Sequence, residues 1–135
     1  MVTGWKTGRS RLVRAPPTVA ASAYVEWRDA RPHSEREMIV RHVFLKLKPE
    51  FGGEAALAEV VARSRRLAAI EGVRGLWVGM PADAGATAAW DLSLSLQFDA
   101  LEDVERYLDD PGHEAYYEGF LEPRIRVIKA WNFEV

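Results

Sequence analysis

Two residue types in the stretch "YLDDPGHEAYYEGF", Tyr107 to Phe120, can move protons at neutral pH once an environment tunes them. His113 is one of three histidines in the chain, and Tyr107 precedes it by six residues across an Asp-Pro break. An imidazole beside a phenol can take a proton from one atom of a bound molecule and donate one to another. Reading on from His113, residues Tyr116, Tyr117, Phe120 and Leu121 fall at i+3, i+4, i+7 and i+8, one face of a helix. His113 therefore stands at the N-terminal end of an inward stripe, where the helix dipole disfavours imidazolium and leaves a neutral, proton-accepting ring. The bland account is a packing histidine satisfied by a backbone carbonyl, with Tyr107 an aromatic at the core edge.

Other candidates carry less. His42 sits mid-strand between Val40 and Phe44 and reads as a core, interface or pocket residue. Trp77, Trp90 and Trp131 read as packing aromatics before they read as a stacking box. A metal would need His42, His113 and Asp110 to converge, and no ligand-pair spacing is present, so no metal or other cofactor is expected. Arg63, Arg65 and Arg66 read as a solvated helix face, not a nucleic-acid groove.

The elements that must position these residues follow from pattern. Ile39 to Leu47 is rich in β-branched and aromatic residues and ends at Pro49, a strand. Glu54 to Ile70 keeps apolar residues at helical spacing and ends at Glu71-Gly72. Val73 to Met80 predicts a second strand, and "PADAGATA" a turn-rich connection. From Trp90 to Phe98, Leu92, Leu94, Leu96 and Phe98 alternate with Ser93, Ser95 and Gln97, which predicts a half-buried strand. Asp99 and Glu102 have the spacing of a capping box for the next helix. Asp110 and Pro111 supply an N-cap and first turn for another, and Arg124 to Val135 predicts the last strand.

The order β-α-β-β-α-β is the ferredoxin-like α+β arrangement, a four-stranded antiparallel sheet with both helices on one face. The other face then needs cover, and a homodimer through that face is the expected remedy.

Composition sets outer bounds. The 135 residues carry a formal net charge of -2, 48% hydrophobic residues and no cysteine, which excludes disulfides and thiolate chemistry. Neither a nucleic-acid partner nor a membrane is indicated, and a reducing cytoplasmic setting is compatible. Residues 1–37 hold seven Lys/Arg against four Asp/Glu, while residues 38–135 hold eleven against sixteen. This basic, aperiodic stretch reads as sequence upstream of a natural start at Met38, ahead of a disordered arm or a targeting peptide. Its Trp5 and Trp27 are the one hint of packing there.

From Met38 on, the chain resembles the stress-responsive A/B barrel domain, the dimeric α+β barrel family called Dabb. The resemblance rests on "IVRHVFLKLKPE", "GVRGLWVG", "WDLSLSLQFDALEDVERYLDDPGHEAYYEGF" and "IKAWNFEV". Members typically show a strand, F-x-(S/D)-x-E, then Y-x-x-H-P-x-H. The resemblance implies a dimeric α/β barrel with a pocket between sheet and helices. A few plant members are polyketide cyclases, whose working histidine and tyrosine fall on His113 and Tyr107, and whose first-strand histidine falls on His42. Phe44, Trp90, Tyr116 and Phe120 would join His42 as pocket lining. Three departures stand out. Asp110 replaces the first histidine of H-P-x-H, and Leu92 replaces a strand-three histidine. One residue fewer separates His42 from the Lys46-x-Lys48 pair, which leaves the facing of His42 open.

Two functions follow from this reading. One is a small binding barrel for a hydrophobic or aromatic ligand, without chemistry of its own. The other is a cofactor-free enzyme of cyclase or monooxygenase type, with His113 as base and Tyr107 as its partner.

Overall fold

The computed structural model describes residues 38–135; the expectations for residues 1–37 lie outside the described residues. Strand β1 spans Ile39–Leu47, as its pattern predicts, and gives way at Pro49 to a short 3-10 turn. Helix α1, Glu54–Arg65, starts after Gly53 without a side-chain cap and tightens into a 3-10 turn over Arg66–Ala69. Gly72 then turns the chain at φ 98°, a left-handed conformation open to glycine at little cost. Strand β2, Gly75–Gly79, follows.

The segment after β2 corrects the sequence reading. Residues Ala84–Ala89 form a short helix, α2, whose N-terminus is capped by Asp83 accepting from the Ala86 N–H at 2.9 Å. Alanine's high helix propensity outweighs the turn signals that flank it. Strand β3 is Leu92–Phe98 and helix α3 is Leu101–Asp109. The expected capping box does not form. Ala100 is the N-cap, and the Asp99 carboxylate instead accepts from Arg74 at 2.7 and 2.9 Å, a charge-assisted partner that a helix N–H does not match.

The Asp110 expectation holds: its carboxylate accepts from the Gly112 N–H at 2.7 Å and opens α4, Pro111–Glu114. The helix then widens into a π-helix over Ala115–Leu121, and the Glu122 N–H donates to the Tyr117 carbonyl at 2.7 Å, five residues back. Strand β4, Ile125–Glu134, closes the domain.

The sheet order is β2-β3-β1-β4, with every neighbouring pair antiparallel, which is the ferredoxin-like arrangement. Strand parity divides its side chains. Ile39, Val43, Leu45 and Leu47 of β1, with Leu92, Leu94, Leu96 and Phe98 of β3, are buried beneath the helices. Val60, Leu67, Val104, Phe120 and Leu121 cover them. The buried Ser64 hydroxyl is satisfied by Tyr116, oxygen to oxygen 2.7 Å.

The opposite face is covered by no described element. There Phe44 packs against Trp90 and Trp131, with ring centroids 5.5 and 6.3 Å apart, and His42 meets the edge of Phe133 at 5.6 Å. Trp77, Trp131 and Phe133 are each more than half exposed.

Candidate functional site

The sheet parity decides which candidates meet. His42 pairs with Ser95 across β3 and Trp131 across β4, on the uncovered face. Its Nδ1 lies 3.4 Å from the Ser95 hydroxyl. Phe44 and Trp90 share that face, so these three do not line a cavity with His113, contrary to the expectation drawn from the resemblance. The reason is register. β1 runs without a bulge until Lys46/Leu47, so the missing residue before the Lys46 pair shifts the inward position from 42 to 41. Because His42 and His113 lie on opposite sides of the sheet, they cannot share a metal.

Arg41 takes the inward place. Sequence reasoning missed it, although the aliphatic series Ile39, Val43, Leu45 and Leu47 marks odd-numbered residues as inward and Lys46 marks even ones as outward. Its guanidinium donates to the Asn132 side-chain oxygen at 3.0 Å.

Arg41, Tyr107, His113, Tyr116 and Tyr117 line one cavity of about 40 Å3 between the sheet and α4, floored by Val43, Leu94 and Ile128. Each arrives there for a local reason. Tyr107 is on the inner face of α3 one turn after Val104, and it is buried, not at the core edge; its ring meets the edge of Phe98 at 5.2 Å. His113 follows the Asp110 cap and Pro111, which set the start of its helix, and its ring centroid lies 4.7 Å from that of Tyr107. The Tyr117 ring lies parallel to the imidazole, 6.4 Å away. Phe120 is buried but stands outside the cavity, beneath the guanidinium groups of Arg63 and Arg124, 4.2 and 4.0 Å from its centroid.

The electrostatics separate the roles of these groups. Burial holds the His113 pKa below its ordinary value, and the Arg41 charge adds to the depression. A hydrogen bond with the Leu108 backbone and the carboxylates of Asp110 and Glu114 pull the other way. A neutral imidazole keeps the lone pair of one ring nitrogen available to accept a proton. Burial raises the Tyr107 pKa, reinforced by Tyr116 and opposed by Arg41, so its phenol keeps the proton. The Tyr107 hydroxyl has no hydrogen-bond partner among the described residues, a costly state for a buried donor unless something in the cavity receives it. Burial pushes Tyr116 up to about 12, against the opposing pull of Ser64 and Arg63. Burial lowers the Arg41 pKa, but a guanidinium remains charged. The cavity thus brings together a neutral base, a phenolic donor and a fixed cation.

This has a consequence for stability. The unfolded chain binds a proton at His113 near pH 6.5, and the folded chain only at lower pH. Stability due to this group is therefore fully present above 6.5 and is lost as pH falls through the folded value. Denaturant midpoints of wild type and His113→Gln, compared across that window, should diverge as pH drops, with the wild type losing more.

Comparison with known proteins agrees with the fold. No curated protein matches the chain. Among solved structures, a dimeric protein of unknown function and ferredoxin-like fold from Bacteroides fragilis is 23% identical, with a TM-score of 0.60 over 73% of this chain and 97% of that one. A hydroxynitrile lyase from Passiflora edulis is 13% identical, with a TM-score of 0.65 over 74% and 94%. A cofactor-independent oxygenase from Streptomyces nogalater is 13% identical, with a TM-score of 0.57 over 73% and 93%. At these identities the likeness is one of fold. The sequence pattern of the stress-responsive A/B barrel domain, by contrast, matches residues 39–134, and the chain belongs to that family.

Proposed function

We propose that the protein is a cofactor-independent acid-base catalyst acting on a small carbonyl compound. The observation that carries this reading is the single cavity shared by His113, Tyr107 and Arg41. In the step we envisage, the neutral imidazole of His113 removes a proton from the carbon next to a carbonyl. The C–H electron pair moves into the C–C bond, and the carbonyl π pair moves onto oxygen. Arg41 and the Tyr107 hydroxyl stabilise that oxygen. Return of the proton to carbon completes an exchange; attack of the enolate on another carbonyl forms a ring, and departure of a leaving group makes the protein a lyase. That a hydroxynitrile lyase and a cofactor-independent oxygenase use this fold supports the reading.

The test is hydrogen-deuterium exchange at the central carbon of 2,4-pentanedione in D2O, followed by NMR. The protein should accelerate exchange above buffer and above a His113→Gln control. A rate equal to that control would leave only the binding-barrel reading.

The same proposal takes the protein as a homodimer. The uncovered sheet face, with Trp77, Trp131 and Phe133 more than half exposed, is the face that a second copy would bury. Sedimentation at micromolar concentration should give a dimer, and Trp131→Glu, which places a charge on that face, should shift it to monomer. A wild-type monomer would end the dimer proposal.

A further inference from the structure

The cation in the inner cavity has no counter-charge there. No carboxylate lines that cavity among the described residues, and the Arg41 guanidinium forms no ion pair with any of them. Its side chain donates to the Asn132 oxygen at 3.0 Å, which leaves most of its fork of N–H groups free among the described residues. The charge is felt at both Tyr107 and His113, so the cation stands beside the phenol and the imidazole. A half-buried guanidinium loses hydration that an anion beside it would replace.

The phenols point the same way. The Tyr116 oxygen is engaged by Ser64 at 2.7 Å. The Tyr107 hydroxyl, on a residue only 3% exposed, has no hydrogen-bond partner among the described residues. The cavity thus presents cationic donors, one unpaired neutral donor and the accepting nitrogen of His113, between apolar side chains.

Size narrows the ligand. About 40 Å3 is room for roughly three waters, since one needs about 10–15 Å3 on this measure and takes about 30 Å3 in the liquid. That is the bulk of a molecule of two or three carbons. The cavity is not sealed, because Arg41, His113, Tyr117, Ile128 and Ala130 on its lining are all only half-buried.

On the acid-base reading above, we infer that the substrate is a short 2-oxo acid of about pyruvate's size, bound as its carboxylate anion. Such an acid carries a carboxylate oxygen and a keto oxygen on adjacent carbons, and coplanar groups put both on one edge. That edge matches the planar fork of a guanidinium. Arg41 holds it, the Tyr107 hydroxyl donates to the keto oxygen, and the carbon next to the keto group faces His113. His113 takes a proton from that carbon, the C–H pair forms a C=C bond to the keto carbon, and the carbonyl π pair moves onto oxygen. Return of a proton from the imidazolium restores the acid, so in D2O the cycle exchanges hydrogen for deuterium.

The probe is pyruvate, with pyruvamide as its neutral counterpart of equal heavy-atom count. Each is titrated into the full chain at constant ionic strength. The histidine ring C–H resonances are followed by NMR and assigned with His113→Gln and His42→Asn. Pyruvate should shift the His113 resonance and leave that of His42, on the far side of the sheet, unmoved. It should bind at least about tenfold more tightly than pyruvamide, as a charge-assisted bidentate contact confers. Arg41→Gln should bind the two alike. Arg106→Gln, whose partner Asp103 lies on the same helix α3, should keep the full preference. The wild-type comparison stands as a test even where Arg41→Gln does not fold. Equal binding of the two probes, a preference that survives Arg41→Gln, or a shift at His42 alone overturns the inference.

Exchange separates the two ideas. A wild type that exchanges pentanedione but ignores the charge of pyruvate sinks the oxo-acid assignment alone. A charge preference at His113, with exchange of neither pyruvate nor pentanedione, sinks the acid-base reading and leaves an anion-binding cavity standing.

Discussion

Replacing His113 with glutamine is expected to slow carbon-acid exchange roughly a hundredfold to ten-thousandfold, the usual share of a positioned general base. Glutamine keeps a hydrogen-bonding side chain of similar reach, so the loss would report proton transfer and not a collapsed cavity. The pH profile supplies a second readout. Only the neutral imidazole accepts a proton, and its pKa is depressed below 6.5 by burial and by Arg41. The wild-type rate should therefore be flat above that value and fall on the acid side. Arg41→Gln removes one of the two causes of the depression, so its acid limb should move to higher pH while its plateau drops through loss of the cation. An acid limb that stays in place would mean that Arg41 does not face the imidazole in solution.

The second large effect is on stability. Phe98 is fully buried at the end of β3 and packs its ring against Tyr107. Phe98→Ala should cost about 3–5 kcal/mol, combining lost transfer energy with the void left behind. Chemical denaturation should show a lower midpoint at unchanged slope. The void would open beside the phenol, so exchange should slow as well. Leu92→Ala, in the same core but at the opposite end of β3, should cost about 2–5 kcal/mol and leave the exchange rate near wild type. If both variants slow exchange equally, the Phe98 contact has no special part in holding Tyr107.

The sequence was most legible where burial is one-sided. Alternation in β3 gave its two faces because serine and leucine differ so sharply in transfer energy, and the Asp110-Pro111 pair placed the helix start in front of His113. The short helix α2 was hidden because its alanines carry no face, and the missing capping box because Asp99's charged partner, Arg74, lies outside the local window. The π-helix over Ala115–Leu121 was hidden too, since an extra residue per turn leaves no mark in composition. Arg41 was the costliest miss. In β1 both series contain large apolar residues, so a histidine drew attention that belonged to its neighbour.

That neighbouring pair makes the sheet a partition. Arg41 and His42 are joined by one peptide bond yet belong to two compartments, one enclosed by helices and one facing away from them. A single residue inserted between His42 and Val43 would exchange their addresses, sending an imidazole into the cavity and a guanidinium to the opposite surface. Chains of this fold that differ by such a step can therefore diverge in the chemistry of their interior while every pairing of β1 with its neighbours beyond that point stays the same. The charge of the cavity is set by counting residues along one strand, with odd and even as its two settings.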